Sequence, residues 1–147
     1  MIHNNPLLEQ IHKYFPTDVR DVHTYSPINL AYLGDAVYEI IIRTLVVEGK
    51  PGMVKSLHMR SSRLVNAKAQ ATLMASIESS LTEEELTIYK RGRNAKSHSV
   101  AKNADIHDYR IATGFEALIG FLYLNGNMER CLELIQLGFP SIAPAGK

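Results

Sequence analysis

Residues 27–48 read PINLAYLGDAVYEIIIRTLVVE, and their pattern decides the fold class. Ser26-Pro27 is a helix opening, with serine as cap and proline in the first turn. Gly49-Lys50-Pro51-Gly52 ends the segment. Between these signals Ile28, Leu30, Leu33, Val37, Ile40, Ile41, Ile42, Leu45, Val46 and Val47 leave no fully polar face. Such a helix is expected at the centre of a helical bundle. Its interior charges, Asp35, Glu39 and Arg43, are spaced i, i+4, i+8 and form one stripe. Glu39 and Arg43 can satisfy each other, which leaves Asp35 without a partner.

A second acid stands in the same position. From Ile111 to Met128 the only charged residue is Glu116, set among Phe115, Leu118, Ile119, Phe121 and Leu122. An unpaired ionised carboxylate in apolar surroundings costs several kcal/mol. A salt bridge to Arg43 or Arg110, a bound proton, or a metal ion would each offset that cost. Gly34 precedes Asp35, and Gly114 and Gly120 bracket Glu116. Glycine inside a helix is unfavourable by up to about 1 kcal/mol and is kept where a backbone or a ligand approaches closely.

Outward from these two segments the chain continues in helices. Asn5-Pro6 opens a short one to about Phe15, and Pro16 to Tyr25 reads as irregular. Met53 to about Ser79 has no Gly or Pro and many good helix formers, so it reads as one long helical segment. Thr82-Glu83-Glu84-Glu85 is a capping box opening a helix towards Arg91, where Gly92 follows. Residues 92–107 read as a basic loop. Asp108 is expected to begin the Glu116 helix, which ends near Asn125-Gly126-Asn127, and a last helix covers about Met128 to Leu137. The expectation is an all-α chain of about six helices in a single domain over 1–147, with its core at about 20–138 and a short tail at 139–147.

Composition narrows the setting. The chain has 147 residues, 46% of them hydrophobic, enough for a sizeable core. It has no apolar run of the roughly 18 residues a membrane span needs, and its first residues do not read as a signal peptide. A single cysteine, Cys131, fits a reducing, cytoplasmic location. The net charge of +1 conceals a segregation. Lys50, Lys55, Arg60, Arg63 and Lys68 fall in an acid-free window, and Lys90, Arg91, Arg93, Lys96 and Lys102 in another. Ten of sixteen basic residues lie in these two windows, a distribution that suits a polyanion as well as two solvated helix faces.

If a metal binds, its type follows from the donors. The six histidines are scattered and there is no Cys/His cluster, which argues against zinc. Carboxylate oxygens suit Mg²⁺, with Mn²⁺ as a substitute. Mg²⁺ takes one or two carboxylates together with waters and substrate phosphates, so a phosphodiester would complete the set.

Asn29-Leu30-Ala31-Tyr32-Leu33-Gly34-Asp35-Ala36-Val37-Tyr38-Glu39 resembles the signature of the ribonuclease III catalytic domain. Thr113-Gly114-Phe115-Glu116-Ala117-Leu118-Ile119-Gly120 resembles its second acidic motif, and Ser62 to Lys68 is similar to the helix between them. Arg91-Gly92-Arg93-Asn94-Ala95-Lys96-Ser97 resembles the Mini-ribonuclease III branch, and the likeness covers about residues 20–135. The resemblance implies an all-α, homodimeric endonuclease that cuts double-stranded RNA with Mg²⁺. In this branch the substrate is precursor ribosomal RNA, at the ends of the large-subunit (23S) molecule. No added double-stranded-RNA-binding domain is expected. Carried over by position, Asp35 and Glu116 are the catalytic and metal-binding acids, and Tyr32 is a dimer contact. Arg91, Arg93, Asn94, Lys96, Lys102 and Lys68 are the expected RNA contacts. A helper such as a ribosomal protein is left open.

Three positions depart from the family pattern. Glutamates are usual where Ile28 and Ala31 stand, and an aspartate where Thr113 stands. Water or Thr113 would then fill coordination positions, with Asp105 and Asp108 as further candidates. The missing acids also admit a non-catalytic alternative, an RNA-binding or ribosome-assembly subunit built on a degenerate domain.

Overall fold

A computed structural model describes residues 5–95 and 105–143. Seven α-helices are formed among them: α1 (Pro6–Tyr14), α2 (Pro27–Gly49), α3 (Val54–Val65), α4 (Ala67–Ile77), α5 (Glu83–Asn94), α6 (Ile106–Leu124) and α7 (Met128–Gly138). Three short 3-10 turns accompany them, and no strand occurs among the described residues.

The caps are those the sequence advertises. Asn5, Ser26, Thr82 and Asn127 each accept a hydrogen bond from a backbone N–H of the first turn. Thr82 and Glu85 close a complete capping box. The irregular stretch before α2 contains one 3-10 turn, Val22–Thr24, capped by Asp21.

The centre of the bundle is α6. It packs most extensively on α2, then on α5 and α4, and it also meets α7. Phe115, Leu118, Ile119, Phe121 and Leu122 are almost fully enclosed. Tyr38 of α2 meets Phe115 edge-to-face, with ring centroids 5.2 Å apart, and its hydroxyl donates to the Leu64 carbonyl at 2.9 Å. Cys131 is buried, and burial pushes its thiol up to about 12.

Four expectations are corrected. Residues 53–79 do not form one helix: α3 ends at Val65, and Asn66 caps α4 by accepting from the Ala69 N–H at 2.8 Å. The expected basic loop begins later, because α5 passes through Gly92 to Asn94. The Glu116 helix starts before Asp108, with Asp105 as its cap. Finally, α2 is not enclosed on all sides. Ile28, Tyr32, Ile40, Leu45 and Val47 are exposed, Tyr32 at 84%. Apolarity all round tells that a face is to be covered but not by what.

Candidate functional site

The site is assembled by close helix crossings on α6. At Gly34 a Cβ would fall 1.7 Å from the Glu116 carbonyl oxygen, and at Gly120 one would fall 2.0 Å from the Leu30 carbonyl oxygen. No other residue permits α2 and α6 to touch backbone to backbone here. On another side, a Cβ at Gly92 of α5 would lie 2.7 Å from the Ala117 Cβ and 2.9 Å from the Gly114 Cα. The glycines bracketing the acids therefore serve helix packing.

This packing brings together the two acids read from the sequence. Asp35 follows Gly34 on α2 and is exposed, whereas Glu116 on α6 is half-buried. Their carboxyl groups are close enough to interact electrostatically. Burial pushes the Glu116 carboxyl up to about 8, the nearby Asp35 adds to the rise, and a hydrogen bond from Gln70 opposes it. Gln70 Nε2 donates to Glu116 Oε2 at 3.3 Å.

The salt-bridge explanation for Glu116 does not hold among the described residues. Arg43 pairs instead with Glu39, Nη2 to Oε1 at 3.1 Å, and Arg110 points no ion pair at Glu116. Two adjoining carboxylates without a protein cation favour a bound cation or a shared proton. Among the described residues no cluster of three or more His, Cys, Asp or Glu side chains is placed to hold a metal. The donor set is thus two carboxylates and oxygen only. It fits Mg²⁺, which completes its shell with water and phosphate, better than zinc.

Of the other candidate ligands, Thr113 stands one turn before Glu116 on the same helix, whereas Asp105 and Asp108 are placed further away along it. The Thr113 hydroxyl donates back to the Tyr109 carbonyl at 2.9 Å. Asp105 Oδ1 accepts from the backbone N–H groups of His107 and Asp108 at 2.8 and 3.4 Å. It stands eleven residues before Glu116, roughly 16 Å along the helix. Asp108, eight residues before Glu116, is about 12 Å away along the same axis.

Lys68, Arg91 and Asn94 are exposed, and Arg93 is half-buried. Arg93 lies over the Tyr89 ring, 5.5 Å from its centroid, and its Nε donates to Asn94 Oδ1 at 3.3 Å. The Gly92–Gly114 contact fixes this end of α5 against the α6 turn that precedes Glu116. Lys96 and Lys102 lie outside the described residues. A groove of about 660 Å³ between α2 and α7 is lined by Ile41, Leu45, Leu132, Ile135 and Phe139, not by the two acids.

Gln70 was not singled out by sequence reasoning. Its signal was a polar residue on the α4 stripe that continues through Leu73, Met74 and Ile77, all buried.

Comparison with known proteins matches this geometry to one family. The Ribonuclease III domain model matches residues 28–127. The chain is 52% identical over 122 residues to a Mini-ribonuclease 3 of Brevibacillus brevis, covering 82% of this chain and 90% of that one. It is 50% identical over 119 residues to a Mini-ribonuclease 3 of Enterococcus faecalis, covering 80% and 90%. A crystal structure of a Fusobacterium nucleatum protein is similar with a TM-score of 0.73 at 32% identity, covering 82% of this chain and 96% of that one. With the matched model spanning both acids and most of the bundle, the chain belongs to the ribonuclease III family, in its Mini-ribonuclease III branch, and is an endoribonuclease of that type.

Proposed function

We propose that the chain hydrolyses phosphodiester bonds of double-stranded RNA with Mg²⁺ held by Asp35 and Glu116, and that it matures the ends of precursor 23S ribosomal RNA. The observation that carries the metal site is the facing carboxyl pair, with burial and Asp35 together raising Glu116 to about 8. Bound there, Mg²⁺ would supply an activated water and neutralise charge on the scissile phosphate. The chain's own part is to hold the acids together through the Gly34 and Gly120 crossings and to leave Asp35 open to solvent and substrate. In this reading Lys68, Arg91, Arg93 and Asn94 supply charge and hydrogen-bond donors to an A-form backbone, and Lys96 and Lys102 are expected to add to them.

The same reading takes the chain to work as a homodimer in the cytoplasm, one subunit per RNA strand. Ile28, Tyr32, Ala36, Ile40 and Val47 share an exposed arc of α2. Near one end of that arc, a depression of about 170 Å³ is lined by Val46, Val47, Val54 and Leu57 together with Arg43, His58 and Ser61. An exposed aromatic on such an apolar arc suits an isologous contact. Among the described residues no helix is long and apolar enough to cross a membrane.

The test is incubation of long duplex RNA, and of a structured 23S precursor, with wild-type protein and Glu116→Gln in Mg²⁺ or EDTA. Fragmentation by the wild type only with Mg²⁺, and by Glu116→Gln in neither, is expected. Cleavage in EDTA would refute the metal site. Duplex binding without cleavage under either condition would favour the non-catalytic alternative.

A further inference from the structure

Gln70 is 2% exposed and sits on α4 facing α6. Its Nε2 donates to the Val65 carbonyl at 2.8 Å and to Glu116 Oε2 at 3.3 Å, while its Oε1 is buried and accepts no hydrogen bond. The orientation of the amide is fixed by chemistry. A backbone carbonyl is only an acceptor, so the NH₂ end must face Val65. Both amide hydrogens are then used, one at the α3–α4 junction and one at Glu116.

The carbonyl end remains. Amide nitrogen and oxygen are about 2.2 Å apart by covalent geometry, which puts Oε1 within roughly 5.5 Å of Glu116 Oε2. That separation lets one water bridge both oxygens. Buried acceptors in folded proteins nearly always have a donor, from protein or from ordered water.

We infer that Gln70 is a positioning residue: it holds the Glu116 carboxylate facing Asp35, and its Oε1 accepts a hydrogen bond from a water in the floor of the same site. The inference rests on the reading of Asp35 and Glu116 as the pair that holds a divalent ion. Gln70 fixes the rotamer of an acid that has no ion-pair partner among the described residues. A purely structural role would be limited to tying Val65 to α4, and would leave ion binding alone.

The experiment is titration of the RNA-free protein with Mn²⁺, followed by electron paramagnetic resonance, for wild type, Gln70→Met, Gln70→Leu and Glu116→Gln. Thermal melting in EDTA reports folding of each. The expected result is Mn²⁺ binding weakened about 10-fold or more in both Gln70 variants, and lost in Glu116→Gln. The Mg²⁺ concentration for half-maximal cleavage should rise by a similar factor, with duplex affinity unchanged. If Glu116→Gln loses Mn²⁺ binding and both Gln70 variants stay within about twofold of wild type, this inference alone is overturned. If Glu116→Gln binds like wild type, the metal reading falls and the inference with it. The wild type gives a check that needs no folded variant. A crystal structure with Mn²⁺ should show a water within hydrogen-bonding distance of Gln70 Oε1, and only apolar atoms around that oxygen would refute the second half.

Discussion

Gly34 of α2 lies against the backbone carbonyl of Glu116 on α6, so closely that a methyl group at 34 would stand 1.7 Å from that oxygen. The residue before one acid thus sets the distance of the other. Gly34→Ala cannot be absorbed by rotating a side chain, because the obstructing atoms are backbone. Overpacking of flexible cores costs about 1–3 kcal/mol, and a rigid helix crossing lies at or above that range. We expect Gly34→Ala to destabilise by about 3 kcal/mol or more in urea denaturation, and to abolish cleavage. A loss under about 1 kcal/mol would mean that the helices are not in contact there.

The two acids should stabilise function at the expense of the fold. Burial, then Asp35, raises Glu116 to about 8 from its ordinary 4.5. A carboxyl raised on folding contributes stability that is complete below about pH 4.5 and is lost as the pH climbs through about 8. In EDTA, Glu116→Gln should therefore melt above the wild type at pH 8, by roughly 3 °C or more, with the gap closing towards pH 5. Asp35→Asn should also raise the metal-free melting temperature, by removing a like charge. Both should lose cleavage at least about a hundredfold and keep duplex binding. A pH-independent gap between Glu116→Gln and wild type would contradict the strained carboxyl.

Much of this was legible in the chain. Ser26-Pro27, Thr82 with Glu85, and the lone acids on apolar helices announced caps, helices and the two acids that the fold brings together, because each rests on local chemistry or period. The break at Asn66 was not legible as such. Its Oδ1 caps Ala69 within a run of helix formers, and composition outvotes a single cap residue. Gly92 read as a stop but is a packing residue against Gly114, a distinction only the neighbouring helix makes. Gln70 acts across 46 positions of sequence, on Glu116, and nothing local announces that. The open face of α2 read as core because one chain's periodicity records that a surface is apolar without recording what meets it.

Away from the site, Glu85 and Arg130 form a partly buried bidentate pair, with Nε to Oε2 at 2.9 Å and Nη2 to Oε1 at 3.0 Å. Burial would raise the Glu85 carboxyl, but the hydrogen bonds from Arg130 and from the Thr82 backbone outweigh it, and the net shift is downward. The pair's stabilisation is therefore present above Glu85's ordinary 4.5 and fades as the pH falls below it. Arg130→Met should cost about 3–5 kcal/mol at pH 7, since it leaves a charge uncompensated at a residue only 5% exposed. The double variant Glu85→Leu with Arg130→Met should recover part of the loss, since Glu85 also closes the Thr82 capping box. Urea titrations at pH 7 and pH 4 decide it: equal cost at both values would remove the ion pair as the cause.

Tyr32, 84% exposed on the apolar arc of α2, should anchor the dimer. Aromatic anchors at an interface centre are commonly worth about 2 kcal/mol or more, and an isologous contact counts each twice. Tyr32→Asp is expected to be monomeric by light scattering at concentrations where wild type is dimeric, with little change in helicity by circular dichroism. Duplex cleavage should fall in step with the dimer fraction. An unchanged dimer in Tyr32→Asp would place the interface on another face.

RNA affinity should depend steeply on salt, because phosphate contacts release condensed ions. With Glu116→Gln as a background that binds without cutting, each removed phosphate contact should lower the log–log salt slope by about one. Lys68→Ala and Arg91→Ala, both at exposed positions, should do only this, weakening binding alike for different duplex sequences. Arg93→Ala should also lower the melting temperature, because its guanidinium covers Tyr89 at 5.5 Å and its Nε donates to Asn94. Binding that is insensitive to salt, or slopes unchanged in all three variants, would remove this end of α5 and Lys68 from the RNA interface.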